Sequence, residues 1–115
     1  MQVQMKKLFT NYNFEFDKNE RKILKTFCSQ NLKQIQGDNK YFAEVKIFNS
    51  LLDKLNSDAD VIKLTKEERT RLKYQLEENV KYLKKQIQKS WFFKKWLYRS
   101  MLVQYEKILD NHFKE

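Results

Sequence analysis

Only one glycine, Gly37, and no proline occur in this chain of 115 residues. Sandwiches, barrels, dinucleotide-binding units and phosphate-cradling loops all use glycine for tight turns and close backbone approach. A chain with a single such residue is confined to long helices joined by short connections. The expected class is therefore all-α, a small bundle of about four helices. Its length suits one domain, and a hydrophobic content of 41% supplies a core. Residues 1–16 read as an extended N-terminal arm and residues 17–115 as a single helical domain.

Local signals place the helices. Asp17 with Glu20 forms a D-x-x-E variant of the capping box, in which each side chain satisfies a backbone N–H that the first helical turn leaves free. Behind it Ile23, Leu24, Phe27, Cys28, Leu32 and Ile35 recur at close to a 3.6-residue period. Gly37 stands where a left-handed C-cap belongs, and Asp38 or Asn39 can cap the next helix. The next stripe runs through Tyr41, Val45, Phe48, Leu52 and Leu55, widened by Phe42, Ile47 and Leu51. It stops in the turn-forming run Asn56, Ser57, Asp58, Ala59, Asp60. Thr65 and Glu68 make a second, stronger capping box, followed by Leu72, Leu76, Val80, Leu83 and Ile87. An unbroken helix from there to His112 would reach roughly 70 Å, so a break is expected near Lys89 and Ser90, with Ser90 as a cap. The last stripe comprises Tyr98, Met101, Leu102, Tyr105, Ile108, Leu109 and Phe113. In the arm, Tyr12, Phe14 and Phe16 alternate with polar residues. This period of two leaves room for a minor two-stranded pairing with residues 61–64. No internal repeat or linker is evident.

Charge is distributed unevenly. The chain holds 24 Lys and Arg against 15 Asp and Glu, a net +9. Between Glu78 and Glu106 no acidic residue occurs, while Lys81, Lys84, Lys85, Lys89, Lys94, Lys95 and Arg99 all do. The first four share one helical face by their spacing, with nothing in the local sequence to neutralise them. Trp91, Phe92, Phe93, Trp96 and Tyr98 crowd the same window. Interleaved cations and rings suit nucleic acid, the cations meeting phosphates and the rings stacking on unpaired bases. They also suit an aromatic anchor on a protein partner, or the surface of an anionic membrane. The plain structural alternative buries the rings at a helix–helix corner and leaves the lysines to solvate the surface.

Catalytic constellations fail on inventory. His112, the only histidine, lies near the C-terminus with Asp110 alone beside it, too little for a metal site. Cys28, the only cysteine, falls on an apolar stripe and reads as a buried structural thiol, although Lys25 precedes it by one turn. The pairs Glu67–Glu68 and Glu77–Glu78 read as a cap and as partners of Lys73 or Lys81. No catalytic, metal or cofactor site is expected. Residues 1–10 lack an apolar stretch of signal-peptide length, and no segment is apolar enough to span a bilayer, so a reduced, cytoplasmic setting is expected. The leading functional expectation is a non-enzymatic basic protein. It would bind nucleic acid or a nucleoprotein through Lys81, Lys84, Lys85, Lys89, Lys94, Lys95 and Arg99. The second is a small regulator or inhibitor, of the kind mobile elements carry, docking on a protein through Trp91, Phe92 and Trp96. A self-associating bundle is the third.

Overall fold

The computed structural model describes residues 12–114. Most of the expected arm, residues 1–11, lies outside the described residues. Helix accounts for 78% of the structure, completed by a two-stranded antiparallel sheet. The order is β1 (Tyr12–Phe14), α1 (Lys18–Ile35), α2 (Phe42–Leu55), β2 (Ile62–Leu64), α3 (Lys66–Lys89) and α4 (Phe92–His112). A short 3-10 turn, Asn39–Tyr41, precedes α2. The class is all-α, and the described residues divide into two compact units, the first ending at Arg71 and the second beginning at Leu72.

In the first unit both capping boxes close as their sequences require. Glu20 N–H donates to Asp17 Oδ1 at 2.7 Å and Asp17 N–H to Glu20 Oε1 at 3.0 Å. Thr65 N–H donates to Glu68 Oε1 at 2.8 Å and Glu68 N–H to Thr65 Oγ1 at 3.1 Å. At the far end of α1, Gly37 takes φ +92°, the left-handed conformation that costs a residue without Cβ nothing. Asp38 accepts from Lys40 N–H and so caps the 3-10 turn. Helices α1 and α2 pack together, burying Leu24, Phe27, Cys28 and Leu32 from one and Phe48, Leu51 and Leu55 from the other. Phe42 departs from its expected place on the stripe and is exposed. It opens α2, where the chain is only leaving the turn.

The alternating aromatics of the arm do form a strand. Tyr12 pairs with Leu64, Asn13 with Lys63 and Phe14 with Ile62. A pairing this short is marginal by itself. Burial of Phe14, Phe16, Ile62 and Leu64 on one face holds it, and the Phe14 and Phe16 rings stack at 5.3 Å. Two arginines tie the surrounding chain. Arg21 donates to the carbonyls of Ser57 and Ala59 at 2.9 and 2.7 Å, and Arg69 lies over the Tyr12 ring at 5.0 Å.

These features expose a repeat that the sequence alone conceals. Phe14 and Ile62, Phe16 and Leu64, Asp17 and Thr65, Glu20 and Glu68, Arg21 and Arg69, Leu24 and Leu72 all stand at one constant spacing. The two members of each pair hold corresponding places, whether on the buried face at the strand, at the cap, as buried cap partner, as an arginine contacting another segment, or as first apolar core position of a helix. Phe14 and Ile62 are also directly opposite each other in the ladder. Arg21 reaches the chain that leads into β2, and Arg69 reaches the first residue of β1.

In the second unit α3 from Leu72 onward and α4 form an antiparallel hairpin, with Leu76, Val80 and Leu83 buried along one helix and Tyr105 and Ile108 along the other. The break falls at Ser90, as expected. Ser90 is not the cap: the N-cap of α4 is Trp91, which makes no side-chain capping bond.

Candidate functional site

The acid-free, aromatic-rich window becomes the closed end of the second hairpin, the last turn of α3, residues 90–91 and the first two turns of α4. No residue from 84 to 104 is buried. Trp91 is 82% exposed, Phe92 78%, Trp96 74% and Phe93 72%, and Leu97 is half exposed. The corner-burial account therefore fails for these four rings, because no element among the described residues covers them. Tyr98, one step further along α4, is half-buried and begins the packed part of the helix. Phe92 and Phe93 stack on each other at 5.6 Å, presenting a continuous apolar face to solvent.

The cations do not act as one block. Lys81 pairs with Glu78 at 3.1 Å, and Lys84 approaches Glu106 of α4 at 3.8 Å. Their neutralisation corrects the expectation of an uncompensated face. Glu78 is one turn away on the same helix, and the hairpin brings Glu106 back beside Lys84 from a distant part of the sequence. Lys85, Lys89, Lys94, Lys95 and Arg99 pair with no carboxylate among the described residues. These five cations therefore share the acid-free window with the exposed rings and are not neutralised by any carboxylate among the described residues.

The start of α4 is poorly built for stability. Its N-cap position has the extended backbone that serine or aspartate would use to cap, yet tryptophan occupies it. No acidic residue lies in its first turn, and Lys94 and Lys95 place positive charge at the positive end of the helix dipole. Cap, dipole and burial all weigh against this segment, whereas both capping boxes upstream are complete. Several of the rules that stabilise the start of a helix are thus broken together at one place.

The other candidates have structural explanations. Cys28 is fully buried, and desolvation pushes its thiol up to about 12, far from nucleophilic readiness. Glu68 is a buried carboxylate held by Lys54, Ser50 and the Thr65 N–H. Burial alone would raise its pKa, but these three donors outweigh it and hold the carboxyl below its ordinary value. Glu78 serves Lys81. His112 lies in the last turn of α4. Among the described residues no group of three His, Cys, Asp or Glu side chains could hold a metal ion, and no helix is long and apolar enough to cross a membrane.

Searches against protein-family models, curated proteins and solved structures find no match for this chain.

Proposed function

We propose that this chain is a non-enzymatic binding protein that engages nucleic acid, or the nucleic-acid part of a nucleoprotein, through the closed end of its second hairpin. The observation that carries this reading is the pairing of four rings more than 70% exposed with five unpaired cations in a segment free of acids. Such rings offer little to an intact duplex, whose bases are stacked on one another. They suit single strands, where base–aromatic stacking contributes about 1–3 kcal/mol per base. Lys85, Lys89, Lys94, Lys95 and Arg99 meet phosphates, with Lys81 and Lys84 joining once they leave their surface carboxylates, a small loss for exposed pairs. A cytoplasmic setting, where unpaired nucleic acid is at hand and Cys28 stays reduced, belongs to the same reading.

The exposure of Trp91, Phe92 and Trp96 also favours a second reading, a regulator or inhibitor whose aromatic anchor fills a pocket on an acidic protein. Salt titration separates the two when run with unstructured oligothymidine, oligouridine and a duplex. Binding to the single strands should exceed binding to the duplex and weaken steeply with salt. Changing Lys85, Lys89, Lys94 and Lys95 to Gln should reduce the log–log slope by about three. Absence of oligonucleotide binding at about 50 mM salt, where phosphate contacts are strongest, refutes the lead and leaves the protein-docking reading.

A further inference from the structure

The repeat seen in the first strand, cap and helix continues through the second helix of each hairpin. Tyr41, Val45, Phe48, Leu51, Leu52 and Asp53 of the first hairpin match Tyr98, Leu102, Tyr105, Ile108, Leu109 and Asp110 of the second, again at one constant spacing. Burial agrees with the match. Phe48 and Leu51 are buried, as are Tyr105 and Ile108, while Tyr41, Val45 and Leu52 are half-buried, as are Tyr98, Leu102 and Leu109. This second spacing is longer than the one relating the first helices. All of the difference falls between the two matched stretches. Ile35 and Tyr41 are joined by five residues, 36–40, and their counterparts Leu83 and Tyr98 by fourteen, 84–97.

The added length and the candidate surface coincide. Residues 84–97 contain the four exposed rings of the candidate site, Leu97 and the lysines Lys85, Lys89, Lys94 and Lys95, which pair with no carboxylate among the described residues. Their counterpart in the first hairpin is a glycine-capped turn with no ring. The first hairpin thus shows how the unit closes when it has only to fold, and the second carries a largely helical extension in which no residue is fully buried.

We propose that the chain is a tandem pair of one strand–helix–helix unit, and that residues 84–97 are a separable recognition element, added to the second copy alone, for unpaired nucleotides. The choice of ligand rests on the functional reading above; the separability rests on the repeat. The extension brings both of its ligand groups with it, rings for bases and lysines for phosphates, so it requires nothing from the rest of the chain except two helices to hold it.

The test is an exchange in the full chain, with residues 84–97 replaced by the sequence of residues 36–40. The expected product keeps its helical circular dichroism and a cooperative thermal transition, and its affinity for oligothymidine and oligouridine falls at least about a hundredfold, the equivalent of two lost stacking contacts. A second chain with Trp91, Phe92 and Trp96 all changed to Ser, full in length, should lose affinity in parallel. An exchanged chain that fails to fold overturns separability. One that folds and binds as before overturns the assignment of the element while leaving nucleic-acid binding intact. If the native chain binds neither oligonucleotide, but binds anionic vesicles or forms a dimer that the exchanged chain does not, the nucleotide assignment falls and separability stands.

Discussion

Glu68 shows how much one side chain can organise. It closes the cap of α3 through Thr65 and receives Ser50 and Lys54 from α2, so it fixes the first turn of one helix against another. Its folded pKa lies below the ordinary value, which means the ionised form is preferred in the folded state. The stability this supplies is complete above the unfolded carboxyl pKa of about 4.3 and disappears as pH falls through the lower folded value. Glu68→Gln should cost about 1–3 kcal/mol at neutral pH. In thermal melts, the gap between the native chain and this variant should narrow steadily below about pH 4. A gap that stays constant down to strongly acid pH would mean that ionisation contributes nothing. The cap itself is legible in sequence because its partners lie three residues apart. Ser50 and Lys54 are not, since nothing local says which helix will lie across it.

Among the elements, the helices, their stripes and the Ser90 break follow from periodicity and capping, both of which operate within a turn or two. The strand pairing is legible only as an alternation in search of a partner. The repeat is hidden for a physical reason. Half of its matched positions share a structural role and not a residue type, as with Asp17 and Thr65 or Phe14 and Ile62, and the lengthened connection shifts the second helices out of step. The neutralisation of Lys84 and the exposure of the rings depend on which elements come together, and no short-range pattern encodes that. Helix α4 offers a direct measure of its compromise. Trp91→Ser places a capping side chain on a backbone already in the capping conformation, and should stabilise the chain by about 0.5–2 kcal/mol. The same change removes a stacking ring, so affinity for oligothymidine should fall. A rise in melting temperature with weaker binding is the expected result; a destabilised variant would show that Trp91 packs against something after all.

For the molecule as a whole, the first unit is a cross-tied assembly in which strand, cap and arginine each appear twice, and the second ends in surface that folding does not use. That uncovered end has a consequence for the behaviour of the protein as a solute. Mutual repulsion from a net charge of +9 keeps neighbouring molecules apart, while four bare rings on each favour their association. Added salt shortens the reach of the repulsion from about 30 Å at 0.01 M to about 8 Å at 0.15 M and leaves the apolar attraction in place. Light scattering should therefore report growing association over the range of salt in which oligonucleotide is released, and the exchanged chain should stay dispersed. On the proposed reading, the rings that would hold a base at low ionic strength would, at higher ionic strength, hold one another, and a bound nucleic acid would then act as a solubilising agent for this protein.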